Sequence, residues 1–277
     1  MRLSLAVQTP DVPGIIPVAL LMGTLEEKLA KAARFGAHGV ELITVAPDQL
    51  DVFALRRLLN SFQLQVAAIG TGGLAFSMGL TLLNRDPEIS SQALTRLYEL
   101  VHFAARVGAD LVTIGSFRGK AAGVIGGGLP MLADMLRPVA DYAQKKGVRL
   151  AIEALNRYEA DLINTAQEGL QFLDDFNHPA VGLLLDTYHV NIEEASFTLP
   201  FHQALRAGKL FHVHLGENHR RYPGSGLIDF PSIVSTLIEE GYGGFLSAEL
   251  LAYPDPDTAA ERTLSYMRSI MEPSSCV

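Results

Sequence analysis

Short apolar segments alternate with longer amphipathic segments about eight times along this chain. The apolar segments lack the two-residue alternation of half-exposed strands, so they are predicted as strands covered on both faces. These strands are residues 2–7, 38–43, 64–69, 110–115, 148–153, 180–186, 210–215 and 245–249. The segments between them repeat apolar residues at helical spacing and are predicted as helices. These helices are residues 25–35, 51–62, 87–107, 129–146, 165–176, 196–207, 230–240 and 258–271.

Eight strand–helix units without a domain-sized linker predict one domain over residues 1–277, in the α/β class, folded as a single (β/α)8 TIM barrel. A doubly wound open sheet is the alternative. Its nucleotide-binding form is disfavoured, because no G-x-G-x-x-G follows the first strand. The glycine-rich connections 70–85 and 116–128 are predicted as loops, and the stretch 181–194 as a strand that ends in a polar loop.

Composition narrows the class of protein. The chain is 48% hydrophobic and 19% charged, which favours a folded domain with much buried strand. No apolar run approaches the roughly 20 residues of a membrane span, and no signal peptide is recognised at the N-terminus. The single cysteine, Cys276, excludes a disulfide framework, so a cytoplasmic location is expected. Net charge is −8 and no run of Lys and Arg exceeds two residues, so neither nucleic acid nor a membrane is an expected partner.

Polar side chains stand at the ends of four successive predicted strands. Glu153 ends the fifth strand, Asp186 ends the sixth, His212 and His214 lie in the seventh, and Glu249 ends the eighth. In a barrel, the carboxyl ends of the strands meet at one rim. Three crowded carboxylates would raise one another's pKa values, and a divalent cation would relieve the repulsion. Oxygen and nitrogen ligands suit Mn²⁺, Co²⁺, Mg²⁺ or Zn²⁺, and the lack of thiolates argues against a structural zinc.

Each of these residues also has a structural interpretation. A single strand-end carboxylate is more often a helix cap or an ion-pair partner, and His212 alone is most simply a hydrogen-bonded core histidine. Their recurrence on four successive strands favours the metal site. Asp186 and His189, three residues apart, form the simplest metal pair within residues 181–194. Arg118 is predicted either to contact an anionic group of a substrate or to be a solvated loop arginine.

Five motifs resemble those of the xylose-isomerase-like TIM barrels. They are ExxNRYE at 153–159, LLLDTYHVNIEE at 183–194, FHVHLGENHR at 211–220, PGSGLIDF at 223–230 and GYGGFLSAE at 241–249. Within that family they are most similar to the sugar-phosphate isomerase and epimerase group, which includes D-tagatose and D-psicose 3-epimerases. The resemblance is strong over the second half of the chain and weaker over the first.

This resemblance implies roles for particular residues. The metal ligands are expected to be Glu153, Asp186, His214 and Glu249, which would bind one divalent ion per chain, Mn²⁺ or Co²⁺ first and Mg²⁺ or Zn²⁺ as alternatives. Glu159, His189 and Arg220 are expected to bind the substrate, so that His189 would touch the sugar rather than the metal. His212 is expected to orient a ligand.

The implied activity is a metal-dependent isomerase acting on a small-molecule sugar, in the first place a ketose 3-epimerase. Glu153 and Glu249 would be the catalytic residues that move a proton through an enediolate. Aldose–ketose isomerisation uses the same intermediate. Relatives are often dimers or tetramers, so a homodimer or homotetramer is expected. Gln8 replaces the residues expected near the end of the first strand, and without tryptophan an aromatic wall over the sugar would come from Phe or Tyr, such as Phe76 or Phe117.

Three other functions compete with this one. A lyase or dehydratase acting on a keto-sugar, keto-glycoside or keto-inositol would use the same metal site. A DNA-repair endonuclease of the same superfamily uses a three-zinc cluster, which the acidic chain and its 8 histidines disfavour. A non-catalytic sugar-binding barrel is the remaining alternative.

Overall fold

The computed structural model describes residues 1–122 and 128–272, and within them eight parallel strands close into a barrel in chain order. The strands are β1 (Arg2–Gln8), β2 (Gly39–Ile43), β3 (Gln65–Gly70), β4 (Leu111–Ile114), β5 (Arg149–Ala154), β6 (Val181–Asp186), β7 (Leu210–Leu215) and β8 (Phe245–Ala248). β8 pairs with β1, so the sheet has no edge. The predicted (β/α)8 barrel is confirmed, and the open sheet is excluded.

Helices cover the outside of the barrel between successive strands. In the described ranges they are α1 (Leu25–Arg34), α2 (Val52–Ser61), α3 (Gly72–Met78), α4 (Pro87–Val107), α5 (Gly128–Lys146), α6 (Ala166–Phe176), α7 (Thr187–Glu193), α8 (Leu199–Arg206), α9 (Phe230–Glu239) and α10 (Pro256–Met271). Local chemistry sets several of their starts. Thr24 with Glu27, and Thr165 with Glu168, form capping boxes at α1 and α6.

Two predicted loops contain helices. The connection 70–85 includes α3, which ends at Gly79 in the left-handed conformation. The polar end of the stretch 181–194 is α7, because Asp186 caps it through a hydrogen bond from the backbone nitrogen of Tyr188 at 2.9 Å. The predicted loop 116–128 falls partly outside the described residues, as does Cys276.

The strands carry the core. Their residues are almost all buried, because the side chains point alternately into the barrel and toward the helices. Among the residues that the structure describes, no helix has the length and apolar character required to cross a membrane.

Strand register positions the polar residues at the rim. An irregularity after Leu183 of β6 skips one residue of β7, so Leu184 pairs with His212 and Asp186 pairs with His214. His214 in turn pairs with Ser247 of β8. The bulge therefore sets Asp186 directly beside the imidazole of His214 at the carboxyl end of the barrel.

Candidate active site

Four predicted ligands meet at the carboxyl end of the barrel. Glu153, Asp186, His214 and Glu249 each offer one ligand atom, and these atoms all lie within 4.8 Å of one another. His214 Nδ1 is 3.5 Å from Glu153 Oε1 and 3.4 Å from Glu249 Oε2. The first three side chains are buried, and Glu249 is 17% exposed. Four residues on four successive strands are therefore brought together as predicted.

The hydrogen bonding of these residues suits a divalent cation. Glu153 Oε1, Asp186 Oδ2 and His214 Nδ1 are buried and have no hydrogen-bond partner among the described residues. Unsatisfied buried groups of this kind are costly, and two carboxylates beside an imidazole form an acceptor-rich set. The two carboxylate oxygens of Asp186 have different surroundings, since Oδ1 caps α7 and Oδ2 faces the other candidate ligands. The residues present thus fit a metal ion that accepts oxygen and nitrogen ligands.

Glu41 of β2 orients the histidine pair from inside the barrel. Its Oε2 lies 3.0 Å from Nε2 of both His212 and His214, and its Oε1 accepts a hydrogen bond from Thr113 at 3.2 Å. Burial would lower the pKa of His214, but the charges of Glu41 and Glu249 raise it well above its ordinary value. Because Glu41 engages Nε2, the Nδ1 atom of His214 is left to face the candidate ligands.

His189 is held by Asn156, which belongs to the connection after β5. The Nδ1 atom of His189 is 2.8 Å from the side-chain nitrogen of Asn156, which also donates to Glu159 at 3.0 Å. The Nε2 atom of His189 is buried, 3.7 Å from Glu153 Oε1 and 3.8 Å from Asp186 Oδ2. The structure therefore places His189 beside the four-residue cluster, with one nitrogen facing the same space.

Arg220 reaches over the cluster from the connection after β7. Its guanidinium lies 3.2 Å from Glu159, 3.1 Å from Glu249 and 3.9 Å from Asp186 Oδ2. It also stacks on the ring of Tyr188, with 4.8 Å between the guanidinium carbon and the ring centroid. All three residues predicted to bind substrate, Glu159, His189 and Arg220, thus lie around one space.

The loop that presents Arg220 is built around Glu217. This carboxylate is fully buried and accepts backbone hydrogen bonds from Asn218, Gly226 and Ile228 at 2.9, 3.0 and 3.2 Å. Arg220 has a φ of 57°, in the left-handed region. The surrounding loop therefore holds Arg220 in a conformation that a non-glycine residue rarely adopts without support.

The pKa values of the three carboxylic acids, Glu153, Asp186 and Glu249, are shifted in different directions. Burial raises the pKa of Asp186 to about 7, with Glu153 and Glu249 acting in the same direction against the charge of Arg220. Burial also raises the pKa of Glu153. Burial opposes ionisation of Glu249 too, but His214 and Arg220 lower the pKa of Glu249 below its ordinary value. The prediction that crowding raises all three pKa values is wrong for Glu249, because two cations reach it.

Comparison with known proteins identifies the family of this chain. The xylose isomerase-like TIM barrel family matches residues 29–270. The chain belongs to this family. An L-ribulose 3-epimerase of Methylomonas sp. (strain DH-1) is 34% identical over 254 residues, which are 89% of this chain and 85% of the relative. A D-psicose 3-epimerase of Ruminiclostridium cellulolyticum is 32% identical over 236 residues, 80% of this chain and 76% of the relative.

A solved structure gives the same picture of the fold. The crystal structure of a D-allulose 3-epimerase from Methylomonas sp. in complex with D-allulose has a TM-score of 0.78 and 27% identity, and the alignment covers 97% of both chains. The relatives are ketose 3-epimerases, which are isomerases, so the predicted resemblance and enzyme class are confirmed.

In this xylose isomerase-like barrel, Arg118 lies in neither of its two predicted environments. It is fully buried, donates to the backbone oxygens of Glu153 at 2.7 Å and Leu162 at 2.6 Å, and reaches that of Ile163 at 3.2 Å. The predictions of a substrate contact and of a solvated loop residue are therefore both wrong. Arg118 instead links the connection after β4 to the end of β5, because its guanidinium donates hydrogen bonds to backbone carbonyl groups there.

Residues of the first half of the barrel also differ from expectation. Phe117 is fully buried, so it cannot form an aromatic wall over a sugar, whereas Phe76 on α3 is 61% exposed. Gln8 accepts a hydrogen bond from the backbone nitrogen of Ile16 at 2.8 Å and donates to the oxygen of Gly14 at 2.9 Å. Gln8 therefore shapes the connection after β1.

Sequence reasoning missed Glu41, Asn156 and Glu217. Glu41 had a usable signal, since it is a lone carboxylate inside the apolar strand segment GVELI and a buried charge requires partners. Asn156 and Glu217 lie in polar connections, where their residue types are common. Both belong to motifs that carry the family resemblance, at 153–159 and 211–220, but the motifs alone do not indicate what these two side chains contact.

Proposed function

We propose that this protein is a divalent-metal-dependent ketose 3-epimerase. The observation that carries the proposal is the meeting of Glu153, Asp186, His214 and Glu249, with three buried ligand atoms that lack a hydrogen-bond partner among the described residues. The relatives, which are ketose 3-epimerases, support it. A lyase or dehydratase would use the same ligands, but nothing in the geometry favours expulsion of a hydroxyl group over return of the proton.

The four residues would hold one metal ion, Mn²⁺ or Co²⁺ in the first place, since the set combines carboxylates with one imidazole. When bound, the ion supplies Lewis-acid polarisation of the ketose carbonyl. His189 would donate a hydrogen bond from Nε2 to a sugar oxygen. Arg220 and Glu159, which contact each other at 3.2 Å, would bind sugar hydroxyl groups.

Glu153 and Glu249 would exchange the proton at C3. Glu249, whose pKa is lowered by His214 and Arg220 against the effect of burial, is the candidate base. Glu153, whose pKa is raised by burial, is the candidate acid. Glu153 lies in β5 and Glu249 directly follows β8, and these two strands are not neighbours in the barrel. A sugar bound between the two residues would therefore meet one carboxyl group on each face. Removal by one and return by the other inverts C3.

Isotope exchange tests the proposal. Protein loaded with Mn²⁺ or Co²⁺ is incubated with a panel of ketoses in D₂O, and the products are followed by NMR and mass spectrometry. An epimerase incorporates deuterium at C3 and forms the C3 epimer without loss of water. Deuterium at C1 would indicate an aldose–ketose isomerase, and loss of water a dehydratase. Absence of exchange in every ketose would overturn the proposal.

Variants separate metal-dependent turnover from nonspecific loss of folding. Glu153→Gln and Glu249→Gln are each expected to lower kcat by at least about a hundredfold, as removal of a general acid or base does. Glu261→Gln, at an exposed position of α10, is the matched control and retains activity. A chelator abolishes exchange, and added Mn²⁺ restores it. Unchanged turnover in Glu249→Gln would instead favour a binding barrel or a different acid–base pair.

A further inference from the structure

Two neighbouring carboxylates lie at the end of α7, the helix that carries His189. Glu193 is the last residue of α7, and Glu194 directly follows it. The side chain of Glu193 is only 4% exposed, whereas that of its partner Arg157 is 62% exposed. A carboxylate withdrawn from water in this way is costly unless hydrogen-bond donors satisfy it, so its partners show what its burial achieves.

Arg157 satisfies both oxygens of Glu193. Oε1 accepts from the backbone nitrogen of Arg157 at 2.6 Å and from its Nε at 3.0 Å. Oε2 accepts from Nε at 3.0 Å and from Nη2 at 2.7 Å. Hydrogen bonds from the side chain of Arg157 lower the pKa of Glu193 below its ordinary value, so the carboxylate is charged at neutral pH. Because the main chain takes part as well as the guanidinium, Glu193 fixes the backbone at residue 157 and not only a side chain.

Two successive residues of the connection after β5 are therefore held by α7. Asn156 contacts His189, and Arg157 contacts Glu193. His189 and Glu193 are four residues apart, so they lie one above the other on one face of the helix. Glu194 adds a further contact, since its Oε1 accepts from the backbone nitrogen of the first residue of α6 at 2.8 Å. The connection is thus attached to α7 near its start and at its end.

The turn that follows Asn156 extends from this held segment to Glu159. The side-chain oxygen of Asn156 accepts from the backbone nitrogen of Tyr158 at 3.0 Å, and its backbone oxygen accepts from that of Glu159 at 3.0 Å. The side-chain nitrogen of Asn156 donates to Glu159 and contacts His189. A displacement of residue 157 would therefore change both the position of Glu159 and the contact that orients His189.

We infer that Glu193 is a positioning residue for sugar binding. By holding Arg157, it fixes the position of Asn156. Asn156 in turn orients His189 and Glu159 toward the substrate. The inference rests on the proposed function, because that function assigns these two side chains to a bound ketose. Glu193 acts through residues 156 and 157 and does not itself contact the sugar.

Steady-state kinetics of Glu193→Gln tests the inference. The Mn²⁺-loaded protein is assayed with the ketose that exchanges fastest at C3. The amide keeps the shape of the carboxylate but directs a donor at the donors of Arg157, so KM is expected to rise about tenfold, the effect of losing a charge-assisted hydrogen bond. The kcat should stay within about twofold, since a loss of substrate binding alone raises KM without lowering kcat. A fall in kcat with unchanged KM would overturn the inference.

Glu240→Gln is the matched control. The side chain of Glu240 is 14% exposed and pairs with Arg206 at 2.7 Å. Glu240 directly follows α9 and precedes β8, so it lies at the opposite end of the barrel from the candidate site. Loss of this ion pair should leave KM unchanged. Equal KM values for Glu193→Gln and Glu240→Gln would mean that the Arg157 pair has no specific part in binding, against the inference.

Arg157→Gln and the double variant show whether Glu193 acts through Arg157. Arg157→Gln should raise KM as Glu193→Gln does, and the double variant should raise it no further, because the two residues form one contact. Effects that multiply in the double variant would contradict the inference. Arg157→Gln also provides the test if Glu193→Gln does not fold, because the side chain of Arg157 is 62% exposed.

Two measurements without sugar separate this inference from the proposed function. On the protein loaded with diamagnetic Mg²⁺, hydrogen exchange followed by mass spectrometry reports on the backbone of residues 156–160, and NMR reports on the imidazole nitrogens of His189. Glu193→Gln is expected to accelerate exchange in this segment and to shift the His189 signals, and Glu240→Gln to change neither. If no ketose exchanges at C3, the proposed function has failed. Unchanged hydrogen exchange and unchanged His189 signals in Glu193→Gln would overturn the positioning role itself.

Discussion

The Nδ1 atom of His189 lies 3.3 Å from the backbone nitrogen of Asn156 and 2.8 Å from its side-chain nitrogen. A backbone N–H group can only donate, so Nδ1 of His189 is the acceptor and the ring proton of the neutral histidine is on Nε2. Burial, together with the positive charges of Arg220 and His214, lowers the pKa of His189 well below its ordinary value. Asn156 thus makes His189 a neutral donor aimed at the candidate site.

Replacement of Asn156 by Ala is expected to lower kcat/KM for the substrate about tenfold. The variant loses the side-chain contacts to His189 and Glu159, and a hydrogen bond of this kind contributes about 1 kcal/mol or somewhat more. Steady-state kinetics measures the loss, and NMR of the imidazole nitrogens reports whether Nε2 still carries the proton. Asn60→Ala, at an exposed position of α2, is the control. Unchanged kinetics would remove Asn156 from the positioning of the site.

Glu41→Gln is expected to weaken metal binding about 10- to 100-fold, the usual effect of removing a partner that orients a histidine ligand. The amide keeps the shape of the side chain but loses the charge that faces Nε2 of both His212 and His214. Calorimetric titration of the metal-free protein with Mn²⁺ measures the affinity. Glu261→Gln should bind Mn²⁺ as the unmodified protein does. Equal affinity in both variants would show that Glu41 only fills the barrel.

Gly226→Ala is expected to raise KM several-fold while the protein stays folded. An added Cβ would overlap Asn218 and Glu217, so the loop that presents Arg220 must shift. Gly243→Ala is a matched control, because an added Cβ there meets no atom within 4 Å. Kinetics and thermal unfolding of the two variants are compared. If both have the same KM, this loop does not control the position of Arg220.

Metal-free protein is expected to lose stability through Asp186 as pH rises from about 4 to 7. Burial, together with the Glu153 and Glu249 carboxylates, raises the pKa of Asp186 from 3.8 to about 7, so the folded state holds this proton more tightly than the unfolded state. The contribution of Asp186 to stability is therefore fully present below pH 4 and is lost progressively up to pH 7.

Asp186→Asn removes this titration and provides the comparison. Urea unfolding is measured with a chelator between pH 5 and 8 for both proteins. The free energy of unfolding of the unmodified protein should fall relative to that of Asp186→Asn up to pH 7 and then level off. A difference that stays constant, or one that rises with pH, would contradict the raised pKa. Added Mn²⁺ at pH 7 should stabilise the unmodified protein more than the variant.

Much of the barrel follows from local chemistry. The segment 181–186 is apolar up to its last residue, so it is buried in any parallel sheet, and the aspartate must emerge where the strand ends. The same reasoning applies to Glu153, to Glu249 and to the pair His212 and His214, whereas the choice of His214 as the ligand came from the family resemblance. The sequence pattern did not predict the short helices α3 and α7, because α3 is glycine-rich and the residue that caps α7, Asp186, is also a candidate metal ligand.

The sequence by itself determined the barrel, because strand burial and helix periodicity are properties of neighbouring residues, and it also determined which four side chains stand at one rim. Only the tertiary structure decided what surrounds them. Glu41 meets two histidines 171 and 173 residues away, and Asn156 meets a histidine 33 residues away. Such contacts depend on how the closed barrel and its loops place distant segments against each other, which no local pattern of residues encodes.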